Sequence, residues 1–236
     1  MEATKGPGAP NRGRRSARIS GDERQRAILV AMERLLDEKD FAEVTVDELA
    51  RGAGLSRPTF YFYFASKQAV LLALLDDVAH TAERRSADVF DDLDTSPSAA
   101  WRRAIQAFAE TFAAHRGVSI AAAAARSTEP ELAAEWATLT ERWTDATARA
   151  IQAERDSGAA PAGPPPQRLA AVLNLLNERV ILAALTDSAT PPSRADPEVT
   201  EPARRESGLP DTVETTVDML LHIWLSSIYG NAAAVP

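Results

Sequence analysis

Apolar residues recur at helical intervals along most of the chain after residue 20. Ser20 and Glu23 have capping-box spacing, and the first apolar series follows them: Ile28, Met32, Leu35 and Leu36. No segment shows a convincing alternation of apolar and polar residues, which is the pattern typical of strands. The pattern therefore predicts an all-α fold whose first helix covers residues 21–38.

Two short helices joined by a turn are predicted next. Thr45 and Glu48 repeat the capping-box spacing at the start of the second helix. A turn with two glycines follows. Ser56 can cap a third helix, in which Pro58 occupies the first turn, where its missing N–H does no harm. A fourth helix is predicted from Lys67 onward.

The remaining part of the chain is predicted to form longer helices, over residues 98–115, 118–127, 130–157, 166–186 and 211–229. The segment DSGAAPAGPPP interrupts this series with glycine and proline. A longer segment that is rich in proline and charge precedes the last helix, and we expect a mobile loop over residues 187–210.

The stretch TVDELARGAGLSRPTFYFYF, residues 45–64, has the order of elements of a helix-turn-helix. Its second helix carries five consecutive aromatic residues. Phe60 and Phe64 are four apart, so they share a face that apolar neighbours can cover as core, with Phe62 on the flank of that face. The helix-turn-helix is therefore expected to have its own small core.

The other side chains of this helix are expected to point outward and contact DNA. Hydroxyl, guanidinium and ammonium groups on one surface suit phosphate oxygens and base edges. The predicted DNA contacts in this segment are Thr45, Ser56, Arg57, Thr59, Tyr61, Tyr63 and Lys67.

The charge distribution changes how the overall acidity is interpreted. A net charge of −8 argues against a nucleic-acid binder. Acidic and basic residues balance over residues 1–80, however, so the excess negative charge lies in the rest of the chain. The arm NRGRRSAR, which includes Arg14 and Arg15, is basic and lacks acids, a form suited to contacts along phosphates. We predict a disordered basic arm over residues 1–20.

Composition excludes several other functions. The chain has no cysteine, which rules out disulfides, thiolate metal sites and thiol catalysis. The three histidines, His80, His115 and His222, lack metal-ligand spacing, and neither a glycine elbow nor a Gly-rich phosphate loop is present. We predict no catalytic residue, metal or cofactor. Without a signal-peptide core or an uninterrupted apolar span, we expect a cytoplasmic protein with no membrane partner.

The segment TVDELARGAGLSRPTFYFYFASKQAVLLALL resembles the DNA-binding segment of TetR-family transcriptional repressors. The resemblance implies a helix-turn-helix domain over residues 21–66 and a larger helical ligand-binding and dimerisation domain over residues 67–236. It also implies double-stranded operator DNA and a hydrophobic small-molecule effector as partners. Two alternatives remain: a ligand-binding helical dimer that does not bind DNA, and an enzyme of unidentified chemistry.

Aromatic residues at helical spacing mark the candidate ligand site. By themselves, such stripes are most simply explained as core, but hydroxyls and amides lie among them, and the resemblance implies a pocket in these helices. The predicted lining residues are Trp101, Ile105, Phe108, Phe112, Trp136, Thr140, Trp143, Thr147, Asn174, Asn177, Glu178 and Trp224.

The last two predicted helices are apolar over more than one face. In the TetR family these helices pair with their copies as a dimer interface. A homodimer also suits a helix-turn-helix protein, because two half-sites about 34–36 Å apart have to be addressed by a rigid assembly.

Overall fold

The computed structural model describes residues 20–86, 90, 93, 95–187 and 211–230 of the chain. Within those ranges the chain forms nine α-helices, one short 3-10 turn over Phe41–Glu43 and no β-strand. The helices are α1 (Gly21–Glu38), α2 (Val46–Gly52), α3 (Arg57–Tyr63), α4 (Lys67–Ser86), α5 (Pro97–Ala114), α6 (Arg116–Ala125), α7 (Pro130–Asp156), α8 (Pro166–Asp187) and α9 (Asp211–Tyr229). The predicted all-α fold is confirmed.

The predicted capping boxes close the N-termini of α1 and α2. Ser20 Oγ accepts a hydrogen bond from the Glu23 N–H at 3.2 Å, and the Glu23 carboxylate accepts one from the Ser20 N–H at 2.6 Å. Thr45 and Glu48 make the same two bonds, at 3.3 and 3.0 Å. These bonds satisfy backbone donors that a helix start leaves unpaired, so both helices begin at the predicted positions.

Glu48 also anchors the turn that precedes α2. Lys39 Nζ donates a hydrogen bond to its carboxylate at 2.6 Å. This bond, followed by those from Thr45, lowers the pKa of Glu48 from its usual 4.5 to about 2. The stabilisation of the folded state by these bonds to ionised Glu48 is therefore fully present above pH 4.5 and is lost as the pH falls towards 2.

Residues 20–66, called the N-terminal unit below, form a three-helix helix-turn-helix. Phe60 is fully buried in its core, which also contains Ile28, Met32, Val44, Leu49 and Phe64. The turn between α2 and α3 needs a glycine, because Gly54 has φ +67°, a left-handed conformation that other residues rarely adopt. The predicted core positions of Phe60 and Phe64 are confirmed.

Helix α4 connects the N-terminal unit with the larger helical part of the chain. It has 20 residues, which corresponds to a length of about 30 Å at 1.5 Å per residue. Along this length it packs against α1 in the N-terminal unit and against α5, α6 and α7 beyond it. A displacement of α4 would therefore change its packing both against the N-terminal unit and against the larger helical part.

The larger part of the chain is a bundle built around α7, α8 and α9. Helix α8 packs against both α7 and α9, and α5 packs against α9. Among the helices of the described ranges, α8 alone has the length and apolar composition of a membrane-spanning segment. Its Asn177 and Glu178 are buried in hydrogen bonds to tryptophans of α9 and α7, so one face of α8 packs within the bundle.

Candidate functional site

The exposed side of α3 carries Arg57 and Tyr61, one helical turn apart. Arg57 Nη2 donates to Tyr61 Oη at 3.5 Å, and its guanidinium carbon lies 5.9 Å from the centre of the Tyr61 ring. Arg57 Nη1 also pairs with Asp47 of α2 at 3.2 Å. Both members of this ion pair are more than half exposed. The pair is therefore screened by water, and Arg57 remains free to exchange Asp47 for a phosphate or a base edge.

The hydroxyls predicted to contact DNA lie at the starts of α2 and α3. Ser56 Oγ accepts a hydrogen bond from the Thr59 N–H at 3.3 Å and lies 2.8 Å from Thr59 Oγ1. Thr45 Oγ1 caps α2 and donates to the Glu48 carboxylate at 2.7 Å. All three hydroxyls thus have a local structural role, and their contact with DNA stays a prediction.

Phe62 and Tyr63 do not lie as predicted from the sequence. Phe62 is 83% exposed, whereas Tyr63 is half-buried and packs against the core. Both residues lie within α3. At 3.6 residues per turn, Phe62 is about 200° around the helix from the buried Phe60, whereas Tyr63 is only about 60° from it. The predicted position of Phe62 on the flank of the core was wrong. Tyr63 was predicted to point outward and is only partly exposed. Phe62 instead extends the exposed side of α3 beside Tyr61.

Lys67 binds the protein's own backbone. Its ammonium donates to the carbonyl oxygens of Phe41 at 2.8 Å, Ala42 at 3.0 Å and Val44 at 2.8 Å, and it lies 4.7 Å from the centre of the Phe41 ring. An ammonium group has three N–H donors, so these carbonyls engage all of them. Burial lowers the pKa of Lys67. The predicted outward placement of Lys67 was wrong, because its ammonium has a structural role in the free protein; its contact with DNA stays a prediction.

Helices α4, α5 and α7 enclose an aromatic crevice, lined by Leu75, Val78, Ala79, Phe112, Trp136, Leu139 and Trp143. Phe108 stacks on Phe112 with ring centres 4.1 Å apart and meets Trp143 edge to face at 5.2 Å. Trp136 meets Phe112 edge to face at 6.1 Å. The rings leave no space for a water-sized sphere. The crevice is therefore closed, and a ligand would have to move these rings to enter.

Other predicted ligand residues lie in a second cluster, between α5, α8 and α9. The rings of Trp101 and Trp224 are 5.3 Å apart, and Trp224 Nε1 donates to Asn177 Oδ1 at 2.9 Å. Trp101 Nε1 donates to Tyr229 Oη at 2.9 Å, and Tyr229 Oη donates to the buried Glu154 carboxylate at 2.6 Å. Burial, followed by this bond to Glu154, raises the pKa of Tyr229. Because these bonds are made between buried side chains, the second cluster is part of the core.

The remaining polar groups of the predicted ligand site are also bonded within the protein. Asn174 Nδ2 donates to Thr147 Oγ1 at 3.2 Å, and Thr140 Oγ1 donates to a backbone carbonyl of its own helix at 2.8 Å. Glu178 accepts from the Trp136 indole at 3.0 Å, and Ile105 is fully enclosed by core. The contact of these residues with a ligand stays a prediction.

Some predictions fall outside the described residues, and some lining residues were missed. Arg14, Arg15 and the segment 188–210 are not among the described residues. The crevice wall formed by Leu75, Val78 and Ala79 was missed, although their spacing of three and four residues was a readable signal.

Two of the histidines have local acidic partners. His115 Nδ1 lies 2.5 Å from Glu33 Oε1, and His80 Nδ1 lies 3.2 Å from Asp76 Oδ1. Among the described residues, no group of three or more His, Asp or Glu side chains is placed to hold a metal ion.

Comparisons with known proteins agree with this architecture. Residues 28–74 match the family model described as bacterial regulatory proteins, tetR family, and residues 101–201 match that of the transcriptional regulator EthR, C-terminal domain. The HTH-type transcriptional regulator EthR of Mycobacterium tuberculosis is 46% identical over 220 residues, which cover 93% of each chain. Its counterpart from Mycolicibacterium smegmatis is 45% identical over 219 residues, covering 93% of this chain and 92% of the relative.

Solved structures at lower identity share the fold. The fatty acid degradation regulator FadR from Bacillus halodurans has a TM-score of 0.64 at 12% identity, covering 89% of this chain and 96% of its own. A TetR/AcrR-family regulator from Thermobifida fusca has a TM-score of 0.61 at 17% identity, covering 90% and 99%. The relatives close in sequence are transcriptional regulators and not enzymes. The described fold, the helix-turn-helix and the near full-length match to EthR together show that this chain belongs to the TetR family of bacterial helix-turn-helix transcriptional regulators.

Proposed function

We propose that this protein is a cytoplasmic repressor that binds operator DNA as a homodimer and is released from it by a largely apolar small molecule. The observation that carries the DNA-binding part is the exposed side of α3. It presents a guanidinium, a phenol and an apolar ring on a short helix that a well-packed core holds in place.

The chemistry of this surface suits both parts of a DNA interface. A guanidinium can pair with guanine O6 and N7 or with phosphate oxygens, and an exposed phenyl ring can contact the methyl group of thymine. Arg57 and Tyr61 supply polar contacts, and Phe62 supplies the apolar one. Each is exposed in the free protein, so no rearrangement of the core is needed for contact.

Replacing Arg57 with alanine is expected to weaken operator binding by about ten-fold or more, since one good bidentate contact is worth roughly 1–3 kcal/mol. Thermal stability should change little, because the Arg57–Asp47 pair is exposed. The measurement is fluorescence anisotropy with labelled DNA from upstream of the protein's own gene. Arg149→Ala, which removes an exposed arginine from α7, is the matched control and should bind as wild type does. Equal operator affinities of Arg57→Ala and Arg149→Ala would contradict the placement of α3 in the DNA interface.

Release by a ligand is supported by the position of the aromatic crevice. Leu75, Val78 and Ala79 of its wall belong to α4, whose first residue, Lys67, is bound to the backbone of the N-terminal unit. Filling a closed crevice has to move at least one wall. A ligand shifts the equilibrium only if it binds the moved state better than the DNA-bound state, and an opened crevice supplies that difference.

Ligand binding and DNA binding should be separately observable in one sample. All four tryptophans lie beyond the N-terminal unit, and Trp136 and Trp143 line the crevice. An apolar compound selected by tryptophan quenching should lower operator affinity by about 5- to 150-fold, the usual range of allosteric coupling. Operator DNA alone should change tryptophan emission only slightly. A compound that quenches the crevice tryptophans and leaves operator affinity unchanged would show that the crevice is not the switch.

A further inference from the structure

Three side chains from three helices form a closed triangle beside the aromatic crevice, called the Arg126 triad below. Arg126 Nη2 donates to Glu178 Oε1 at 2.7 Å, and Trp136 Nε1 donates to Glu178 Oε2 at 3.0 Å. The guanidinium carbon of Arg126 lies 4.7 Å from the centre of the Trp136 ring. Arg126 is the C-terminal cap of α6, Trp136 belongs to α7 and Glu178 belongs to α8.

The Arg126 triad is largely buried, so its members depend on one another. The side chains of Glu178 and Arg126 are 7% and 20% exposed, and Trp136 is 5% exposed. Loss of one partner of a buried ion pair leaves an uncompensated charge, which is strongly unfavourable. Displacement of Trp136 would remove a hydrogen bond from Glu178 and an aromatic face from Arg126 at the same time. The triad therefore favours one arrangement of α6, α7 and α8.

Trp136 is also a wall of the aromatic crevice. It meets Phe112 edge to face and stands beside Leu139 on the same crevice surface. Because the crevice is closed, any occupant presses on the rings that fill it. Trp136 is thus the point at which crevice occupancy and the Arg126 triad meet.

The opposite end of α6 lies against the N-terminal unit. Gly117 packs so closely on the C-terminal part of α1 that an added Cβ would lie 2.9 Å from the Leu36 carbonyl oxygen. His115, which precedes α6, lies 2.5 Å from Glu33 of α1. Helix α6 has ten residues, so about 15 Å separates the triad end from the α1 contact. A shift of α6 at Arg126 would reach α1 through backbone contact.

We propose that Arg126 is a positioning residue that couples the aromatic crevice to the N-terminal unit through α6. This inference rests on the proposed release of DNA by a ligand and adds a second route beside α4. When the crevice is empty, Trp136 and Glu178 hold Arg126 and therefore α6 in place. When the crevice is occupied, displacement of Trp136 loosens Arg126, and α6 carries the displacement to α1.

The test replaces both charged members of the triad and uses a crevice-filling substitution as the effector, so no ligand has to be known. The paired variant Arg126→Met with Glu178→Gln removes the ion pair without leaving a buried charge, and such replacements are often close to neutral for stability. Phe112→Trp enlarges the ring that presses on Trp136. Operator affinity is measured by anisotropy for the wild type, the paired variant, Phe112→Trp and the combination of all three substitutions.

In the wild-type background, Phe112→Trp should lower operator affinity by about ten-fold, within the usual range of allosteric coupling. In the paired-variant background, the same substitution should lower it by about two-fold or less, because α6 no longer follows Trp136. Loss of the same factor in both backgrounds would overturn the role of Arg126. No loss in the wild-type background would instead contradict the crevice as the switch, which is a failure of the proposed function.

Stability measurements separate positioning from a purely structural role. Each variant is checked by circular dichroism and thermal unfolding, and a structural role alone would lower stability without changing the ratio of the two affinity losses. Should Phe112→Trp not fold, Leu139→Trp fills the crevice from α7 next to Trp136 and is compared in the same two backgrounds.

Discussion

Replacing Lys67 with methionine is expected to destabilise the N-terminal unit by ~2–4 kcal/mol, because charge-assisted hydrogen bonds contribute more than neutral ones and two of the three that Lys67 donates are part-buried. Three carbonyl oxygens, those of Phe41, Ala42 and Val44, would lose their donor together. The 3-10 turn and the residue after it carry these oxygens and lead directly into the start of α2. We therefore expect a lower thermal midpoint and a loss of operator binding that follows from unfolding.

The salt dependence of DNA binding distinguishes this role from a phosphate contact. If Lys67 neutralised one phosphate, its loss would reduce the salt slope by about one unit at unchanged stability. We expect the opposite pattern: reduced stability, and an unchanged slope for protein that remains folded at low temperature. Arg51→Met removes an exposed cation from the last turn of α2 and is the matched control for stability. A Lys67→Met variant that melts like the wild type would restore the phosphate contact.

The positions of the helices were predictable because their signals are local. Helix α1 begins and ends where the capping box and the apolar spacing place it, and α9 covers residues 211–229 as predicted. A capping box requires two residues three positions apart, and α9 is followed by Gly230, whose φ of +77° suits the residue after a helix end. Such signals are contained within a single turn of chain and can be read without knowledge of the tertiary structure.

Side-chain roles near the end of α3 were less predictable because they depend on distant parts of the chain. Phe64 has an extended backbone after the last residue of α3 and is nevertheless buried, so packing against the rest of the chain decides its position. Lys67 is bound to carbonyls 23–26 residues earlier in the chain. No spacing within the motif indicates that the 3-10 turn would present those carbonyls, so an exposed position was the natural expectation.

The partners within the candidate ligand site are equally distant in sequence. The aromatic stripes correctly identified residues that meet in the larger domain, as the contacts of Phe108 with Trp143 and of Phe112 with Trp136 show. The hydrogen bonds that satisfy their indoles join residues 42 to 128 positions apart. Periodicity places a residue on a face of its helix, but the pairing of faces is decided by how the helices pack. For this reason Arg126, which lies in a short turn with no periodic signal, was not predicted.

A charge on the outer face of α8 and α9 is expected to have the largest effect on DNA binding, because it should separate the homodimer. These neighbouring helices expose apolar side chains that lack cover in the single chain: Val172, Leu175, Val180, Met219 and Ile223. Leu175 is 52% exposed and Met219 is 61% exposed. Their apolar surface is the kind that a homodimer interface buries.

The test variant carries Leu175→Asp together with Met219→Asp. In a two-fold symmetric interface each substitution occurs twice, so four carboxylates would have to be buried near one another, which is strongly unfavourable. We expect a folded monomer by sedimentation at micromolar concentration. Operator affinity should fall by about 100-fold or more, since a monomer engages one half-site and loses the effective concentration that links the two.

Val30→Asp provides the matched control, because Val30 is an equally exposed apolar residue, 59% exposed, on α1 and away from α8 and α9. It should remain dimeric, which would show that an added surface charge alone does not separate the subunits. A double variant that remains dimeric would place the interface elsewhere on the molecule. A monomeric double variant that still binds a full operator with wild-type affinity would contradict the requirement for two linked half-sites, because a single α3 would then supply all of the affinity.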